Sequence, residues 1–271
     1  MIQLQLPGPL FLIGCGNMAG AMLEGWLAAG ADPRMITVVR PSGRPPAPNI
    51  RTLTALPEDE VPALVLLGVK PQKLAEVAPA VAPALEAATV LVSILAGTPL
   101  AALRGFFPVP RTIVKAMPNL PVSLGRGVTE LHTDGHSDAA ATAEVERLMR
   151  ALGHCEWFDD EKLFSVASNL TAAAPAFLYR FLDALAAAAE ELGLPAEQAA
   201  RLATAMADGS SALAAGSGAT PAQLARRVAS PGGTTEAGLA VLDSEDGLKA
   251  LILRTLEASR RRGREMAAGL G

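Results

Sequence analysis

Pro9-Leu10-Phe11-Leu12-Ile13-Gly14-Cys15-Gly16-Asn17-Met18-Ala19 is the stretch that decides how the first half of this chain folds. The apolar run Pro9–Ile13 leads into a turn with glycine at 14 and 16 and a third small residue at 19. In a strand–turn–helix unit the first glycine permits the tight turn and the second admits a pyrophosphate close to the backbone. The third small residue lets helix and strand approach. The helix that follows aims its free N–H groups at the phosphates. Asn17–Ala29 suits that helix: Met22, Leu23, Trp26 and Leu27 share one face, and Gly30 supplies the stop. The motif predicts a dinucleotide site built from Ile13, Gly14, Cys15, Gly16, Asn17 and Met18.

Outward from this turn, strands are predicted at Met35–Val39, Ala63–Val69, Thr89–Ile94 and Arg111–Ala116. Their nearly unbroken apolar character is that of parallel strands covered on both faces. Gly127–Leu131 and His154–Phe158 flank a helix over about Asp138–Leu152 and extend the sheet. Strands alternating with helices argue for an open α/β sheet. After residue 160 the strand signal ends. Ala, Leu and Glu dominate from Val166 to Leu192 and from Pro195 to Ala215, with Pro195 at the first position of a new helix. From about Pro221 the chain reads as three shorter helices. The predicted organisation is therefore α/β at residues 1–160, binding a dinucleotide, followed by an all-helical domain at residues 161–271. So long an Ala-rich block cannot bury all its apolar faces alone, so a homodimer through it is expected.

Composition narrows the class. At 271 residues, 50% hydrophobic and 18% charged, the chain is long enough for two domains and not disordered. A net charge of -4 gives no electrostatic case for nucleic acid or an anionic membrane. The one basic run, Arg260-Arg261-Arg262-Gly263-Arg264, reads as a solvated helix end. Cys15 and Cys155 are too far apart for a disulfide framework, and His132, His136 and His154 lack metal-ligand spacing, so no metal is expected. The first apolar stretch is broken by Pro7, Gly8 and Pro9 and reads as a strand, not a signal peptide. No uninterrupted apolar run of membrane-spanning length is seen, and the expected compartment is the cytoplasm.

The second strand ends at Arg40, where an acid would accept a bond from the ribose 2′-hydroxyl of NAD. Arginine instead pairs with a 2′-phosphate, so NADPH is expected over NADH, with Ser42 and Arg44 in the loop around that phosphate. Gly68-Val69-Lys70-Pro71 closes the next strand at its carboxyl end, where open α/β sheets bind ligands. Lys70 there faces the cofactor or caps the sheet edge in water. Asn119, between Pro118 and Pro121, is placed to bond the nicotinamide amide, or is an ordinary turn residue. Ser230-Pro231-Gly232-Gly233-Thr234-Thr235 precedes the helical run Glu236–Leu242. It reads as a helix cap or as a carboxylate nest, with glycine N–H groups and hydroxyls at the positive end of a helix.

Taken together, Ile13–Ala19, Val69-Lys70-Pro71-Gln72, Ala96-Gly97, Met117-Pro118-Asn119, Glu191-Leu192-Gly193-Leu194-Pro195 and Ser230–Thr235 resemble the pyrroline-5-carboxylate reductase family, in order and over almost the whole length. The resemblance implies a Rossmann domain followed by a helical domain that interlocks with its partner, and dimers can assemble further. It implies that the nest around Ser230, Gly232, Gly233, Thr234 and Thr235 holds the substrate carboxylate. Thr235 then bonds the ring nitrogen, Lys70 and Ala96 lie with the cofactor, and the pocket combines two protomers. Thr235 and Lys70 are the candidate catalytic residues. The chain departs from the family where Thr171-Ala172-Ala173-Ala174-Pro175-Ala176-Phe177 replaces Ser-Gly-Ser-Gly-Pro-Ala-Tyr. Leu120 also stands for a usual Thr and Arg227 for a common Asn. These departures leave two rivals: a reductase of a related cyclic imine, and a non-catalytic NADPH-binding dimer. A β-hydroxyacid reductase of this architecture would need a lysine on the long helix, and residues 168–190 contain none.

Overall fold

The structure, a computed structural model, describes residues 4–268. The chain divides into two compact units, one running to Ala173 and taking in the chain from Arg260, the other Ala174–Ser259. The first unit is built on β1 (Leu10–Ile13), α1 (Asn17–Ala28), β2 (Ile36–Val39), β3 (Arg51–Leu53), β4 (Leu64–Leu67), α2 (Leu74–Val81), β5 (Val90–Ser93) and α3 (Leu100–Phe106). It continues with β6 (Ile113–Pro118), β7 (Gly127–Thr133), α4 (Ala139–Arg150), β8 (Gly153–Trp157) and α5 (Glu161–Thr171).

The eight strands lie in the order β3-β2-β1-β4-β5-β6-β7-β8. Every pairing is parallel except β6 with β7. The chain from Asn119 to Arg126 that joins those two is shorter than the dozen or so residues a parallel crossover needs, so β7 must return antiparallel. Strand order reverses between β1 and β4, which puts the ligand crevice at their carboxyl ends. Alternate residues of the strands feed two cores. Leu10, Leu12, Leu64 and Leu66 pack with Met22 and Trp26 on one face. Phe11, Ile13, Val65 and Leu67 pack with Leu103 and Phe107 on the other. The buried Trp26 indole donates to the Leu148 carbonyl at 2.9 Å, tying α1 to α4.

The second unit contains α6 (Ala174–Glu191), α7 (Ala196–Gly216), α8 (Pro221–Val228) and α9 (Thr234–Leu242). Helix α10 (Leu248–Ala268) runs on from it. Pro195 caps α7 instead of occupying its first turn. The last helix corrects the expectation of three short ones, since at 21 residues it equals α7. Helices α6 and α7 pack on each other. Yet among the described residues this unit fully buries only Ala199 and Ala203 as apolar side chains. Leu178, Phe181, Leu185, Leu202 and Leu213 stand exposed. The stretch Glu161–Glu191 is long and apolar enough, by length and composition, to cross a membrane, although Lys162, Asn169, Pro175, Arg180 and Asp183 interrupt its apolar run. In the fold it is interrupted at Ala172-Ala173, between α5 and α6.

Candidate active site

The turn after β1 has the stereochemistry of a phosphate cradle. Gly14 has φ +81°, and a Cβ there would lie 2.9 Å from Val69 Cγ1 and 3.0 Å from the Gly68 carbonyl oxygen. A Cβ on Gly68 would lie 2.9 Å from that of Ala19 and 3.1 Å from the Gly14 carbonyl oxygen. Glycine at 14 and 68 and alanine at 19 therefore interlock, each small because the next is close. Gly16 is different: nothing lies within 4 Å of the position its Cβ would take. It caps α1 with no side-chain bond, so the first amides of that helix face open space. This is the shape a pyrophosphate needs, and a dinucleotide fits here. Ile13 sits behind the turn, 3% exposed, and its carbonyl accepts from the Gly68 N–H at 2.9 Å. Its side chain belongs to the core wall beneath the cradle.

Arg40 follows β2 and opens a turn closed by the Gly43 N–H on the Arg40 carbonyl at 3.1 Å. The Ser42 hydroxyl accepts from the Arg44 N–H at 3.4 Å, which gathers Arg40, Ser42 and Arg44 in one loop. The Arg40 guanidinium acts electrostatically on Cys15, in the middle of the cradle. Burial pushes the Cys15 thiol up, and Arg40 opposes this without overcoming it. Cys15 is therefore a neutral thiol at pH 7, and the positive charge of Arg40 lies beside the cradle. Cys155 is buried and pushed up to about 12, an inert core thiol. Among the described residues no cluster of His, Cys, Asp and Glu could hold a metal.

Lys70 is exposed at the end of the β4 segment, and the neighbouring Lys73, not Lys70, pairs with Glu76. Ala96 and Gly97 are exposed in the loop after β5, Gly97 with φ +74°. Asn119, expected to bond the nicotinamide amide or to be a turn residue, has its side chain turned inward. It is buried, its Oδ1 accepts from the Val128 N–H at 2.8 Å, and its Nδ2 donates to the Thr171 carbonyl at 3.2 Å. It is a strut between β6, β7 and α5.

Beside this strut lies a cavity of about 350 Å³, lined in part by Ala96, Gly97, Lys115, Met117, Glu161 and Phe164. Lys115 Nζ meets Glu161 Oε1 at 2.5 Å and lies 5.0 Å from the centre of the Phe164 ring. Arg260 and Arg264 also line it, so the basic run is not solely a solvated helix end. Sequence reasoning missed Lys115 and Glu161. The available signal was a lysine inside an otherwise apolar buried strand, which demands a partner. Next to Met117, Glu130 is buried on β7 and meets the Thr171 hydroxyl, while its Oε2 has no partner. Burial pushes the Glu130 carboxyl up, and the Thr171 hydroxyl opposes this only in part.

The Ser230–Thr235 segment belongs to the second unit. Gly232 has φ +69°, and the Gly233 N–H closes a turn on the Ser230 carbonyl at 2.9 Å. Gly233, not a Ser or Thr, caps α9, and no side-chain cap bond is made. The hydroxyls of Ser230, Thr234 and Thr235 are thus not spent on capping. The Gly232 N–H donates to Glu236 Oε2 at 2.7 Å, so the turn already receives a carboxylate oxygen. The arrangement can hold a small carboxylate at the positive end of a helix.

These features define a dinucleotide-dependent oxidoreductase with an appended helical unit. Residues 161–266 match the family model described as pyrroline-5-carboxylate reductase dimerisation. Residues 10–97 match that described as NADP oxidoreductase coenzyme F420-dependent. The pyrroline-5-carboxylate reductase of Pseudomonas aeruginosa is 35% identical over 96% of this chain and 97% of its own. That of Pisum sativum is 31% identical over 95% and 96%. The Coxiella burnetii enzyme superposes with a TM-score of 0.83 at 28% identity, over 95% of this chain and 98% of its own. A Plasmodium falciparum pyrroline carboxylate reductase, solved with NADP bound, shares the fold with a TM-score of 0.84 at 22% identity, over 96% and 98%. The chain belongs to the pyrroline-5-carboxylate reductase family.

Proposed function

We propose that this protein reduces 1-pyrroline-5-carboxylate to proline with NADPH, as a homodimer. The observation that carries the substrate assignment is the Ser230–Thr235 turn, whose Gly232 N–H already binds a carboxylate oxygen and whose hydroxyls are free of capping duty. A substrate carboxylate takes the place of Glu236 there, held by Ser230, Gly232, Gly233 and Thr234. Thr235 bonds the ring nitrogen and strengthens its hold as that nitrogen turns from imine to amine. The proton comes from water or from the substrate's own protonated imine. The space at Gly16, with Asn17 and Met18 behind it, takes the pyrophosphate, and Arg40 with Ser42 takes the 2′-phosphate. Gly68, Val69, Lys70, Pro71 and Ala96 line the rest of the cofactor crevice. When bound, the reduced nicotinamide supplies the hydride. What the chain must provide beyond this is orientation, since a cyclic imine is already electrophilic.

Dimerisation is supported by the exposed apolar residues of α6 and α7, which a second copy covers. The same association accounts for the apolar Glu161–Glu191 stretch without a membrane. The free thiols of Cys15 and Cys155 suit a reducing, cytoplasmic compartment. Steady-state assay of the pure protein with pyrroline-5-carboxylate and each cofactor, alongside sedimentation, tests the reading. Proline formation by a dimer is expected. NADPH binding without turnover would leave only a cofactor-binding dimer.

A further inference from the structure

In a doubly wound sheet the fingerprint half holds one end of the dinucleotide, and the β4–β6 half receives the other. The loop Ala96-Gly97-Thr98-Pro99, after β5, stands on that second half and walls the cavity described above. Its upstream end is fixed by the Thr98 N–H on the Leu95 carbonyl at 3.4 Å. Its downstream end enters α3, whose capping residue is Pro99 and makes no side-chain cap bond. The cap comes from elsewhere. The Leu100 N–H donates to Glu161 Oε1 at 3.0 Å, and the same oxygen accepts from Lys115 Nζ at 2.5 Å. Glu161 is the first residue of α5, whose own start is capped by Asp160 accepting from the Lys162 N–H at 2.7 Å.

One carboxylate oxygen thus joins β6, α3 and α5. It lies at the positive ends of two helices and against an ammonium whose side chain is only 10% exposed. Burial pushes the Glu161 carboxyl up, but the bond and the charge of Lys115, together with the bond from the Leu100 N–H, outweigh it and hold it below the ordinary carboxylate range. His132 adds a smaller pull in the same direction. The clamp is therefore ionised and made at neutral pH.

We propose that Glu161 is a positioning residue for the reduction assigned above: by clamping Leu100 and Lys115 it holds the Ala96–Pro99 loop in the shape that orients the nicotinamide end of the cofactor. The inference rests on that functional reading. The phosphate sites at Gly16 and Arg40 lie on the other half of the sheet, so loss of the clamp disturbs orientation while leaving most of the cofactor's grip intact.

The test compares Glu161→Ala and Glu161→Gln with the wild-type dimer. Glu161→Ala is expected to speed amide exchange at Leu100, to lower kcat roughly 10- to 100-fold, and to leave the NADPH Kd within about three-fold. Glu161→Gln keeps an oxygen acceptor for both donors, so it recovers most of the loss in kcat and in exchange protection. Unchanged exchange at Leu100, unchanged kcat, or a parallel loss of kcat, NADPH affinity and thermal stability would each overturn the proposal. If the wild type does not reduce pyrroline-5-carboxylate, the function fails, and the clamp is judged in the binary complex. There Glu161→Ala must alter the fluorescence lifetime of bound NADPH and Glu161→Gln must not; equal lifetimes in all three proteins refute it.

Discussion

Replacing Gly16 with alanine separates a glycine kept for a ligand from one kept for packing. Gly16 has φ -82° and ψ -166°, extended backbone that alanine adopts freely. No atom lies within 4 Å of the added Cβ, so the folded chain need not shift. Alanine reduces the freedom of the unfolded chain, worth about 0.4–1 kcal/mol, and offsets this by being a poorer helix cap than glycine. The net effect on stability is within about 1 kcal/mol, or roughly 2–4 °C in Tm for a chain of this size. The effect on the cofactor is larger. The methyl group fills the space at the start of α1 and displaces the pyrophosphate from amides whose charge-assisted bonds are worth about 1.5–3 kcal/mol each. Losing one such bond, about 1.5–3 kcal/mol, weakens NADPH binding by roughly 10- to 140-fold, and losing two weakens it further. Gly14→Ala is the contrast. Its φ of +81° and a contact of 2.9 Å to Val69 Cγ1 predict a loss of stability as well, about 1–3 kcal/mol. The assay is titration by nicotinamide fluorescence, with thermal unfolding of the cofactor-free protein beside it. Wild-type NADPH affinity in Gly16→Ala would show that the open space is not the pyrophosphate site. A fall in Tm comparable to that of Gly14→Ala would show that Gly16 is a packing residue.

Arg40→Asp should reverse the preference for NADPH over NADH in a binding titration, and an unchanged ratio removes Arg40 from the 2′-phosphate. Thr235→Ala should lower kcat/KM by about one to two orders of magnitude, from the loss of one bond worth roughly 1–3 kcal/mol, with cofactor affinity intact. Ser230→Ala should act mainly on KM, since the carboxylate is held alike before and after hydride transfer; a kcat effect as large as that of Thr235→Ala contradicts this division. Glu130 has its folded pKa raised above the ordinary 4.5, so the native state keeps a proton that the unfolded chain gives up. The wild type therefore loses stability as pH rises from about 4.5 through the raised value, and Glu130→Gln does not. Denaturant unfolding at a series of pH values should show the variant gaining on the wild type toward alkaline pH. A difference constant with pH refutes the raised pKa.

The parts of this fold that were legible in the sequence are those set by local rules. Leu10–Ile13 and Leu64–Leu67 are buried on both faces and therefore apolar throughout, which a sequence displays directly. The Gly14–Ala19 turn is likewise written in residue size. Strand β3 was not legible: Arg51-Thr52-Leu53 is short, partly exposed and at the sheet edge, so no apolar pattern marks it. Nor was the length of α10, because an arginine cluster near a helix end reads the same whether the helix stops or continues. The Lys115–Glu161 pair joins residues 46 apart, and only the sheet order brings them together. Asn119 sits in a stiff loop as predicted. Turned inward, it supplies partners for two partly buried backbone groups, the Val128 N–H and the Thr171 carbonyl.

The stretch that departs most from the family pattern begins at a residue that this chain ties to β7 and to the end of β6. Thr171 places its hydroxyl on Glu130, and its carbonyl receives Asn119 Nδ2 at 3.2 Å. The two residues that follow, Ala172 and Ala173, line the cavity beside Met117 and Phe164. Where the family has glycine and serine, the cavity wall here is methyl. A methyl group cannot donate a hydrogen bond, and it takes up room that a glycine leaves free. A ligand at this wall meets methyl groups at Ala172 and Ala173, and the hydroxyls that α5 offers the cavity are those of Ser168 and Ser165, one and two turns earlier. In the function proposed above, recognition of charge is assigned to groups outside the stretch: the Ser230–Thr235 turn for a carboxylate and Arg40 for a phosphate. A substitution that looks disabling in isolation is compatible with activity as long as orientation is supplied elsewhere. The bonds made by Asn119, Glu130 and Glu161 tie the surrounding strands and helices together, and in the function proposed above they supply that orientation.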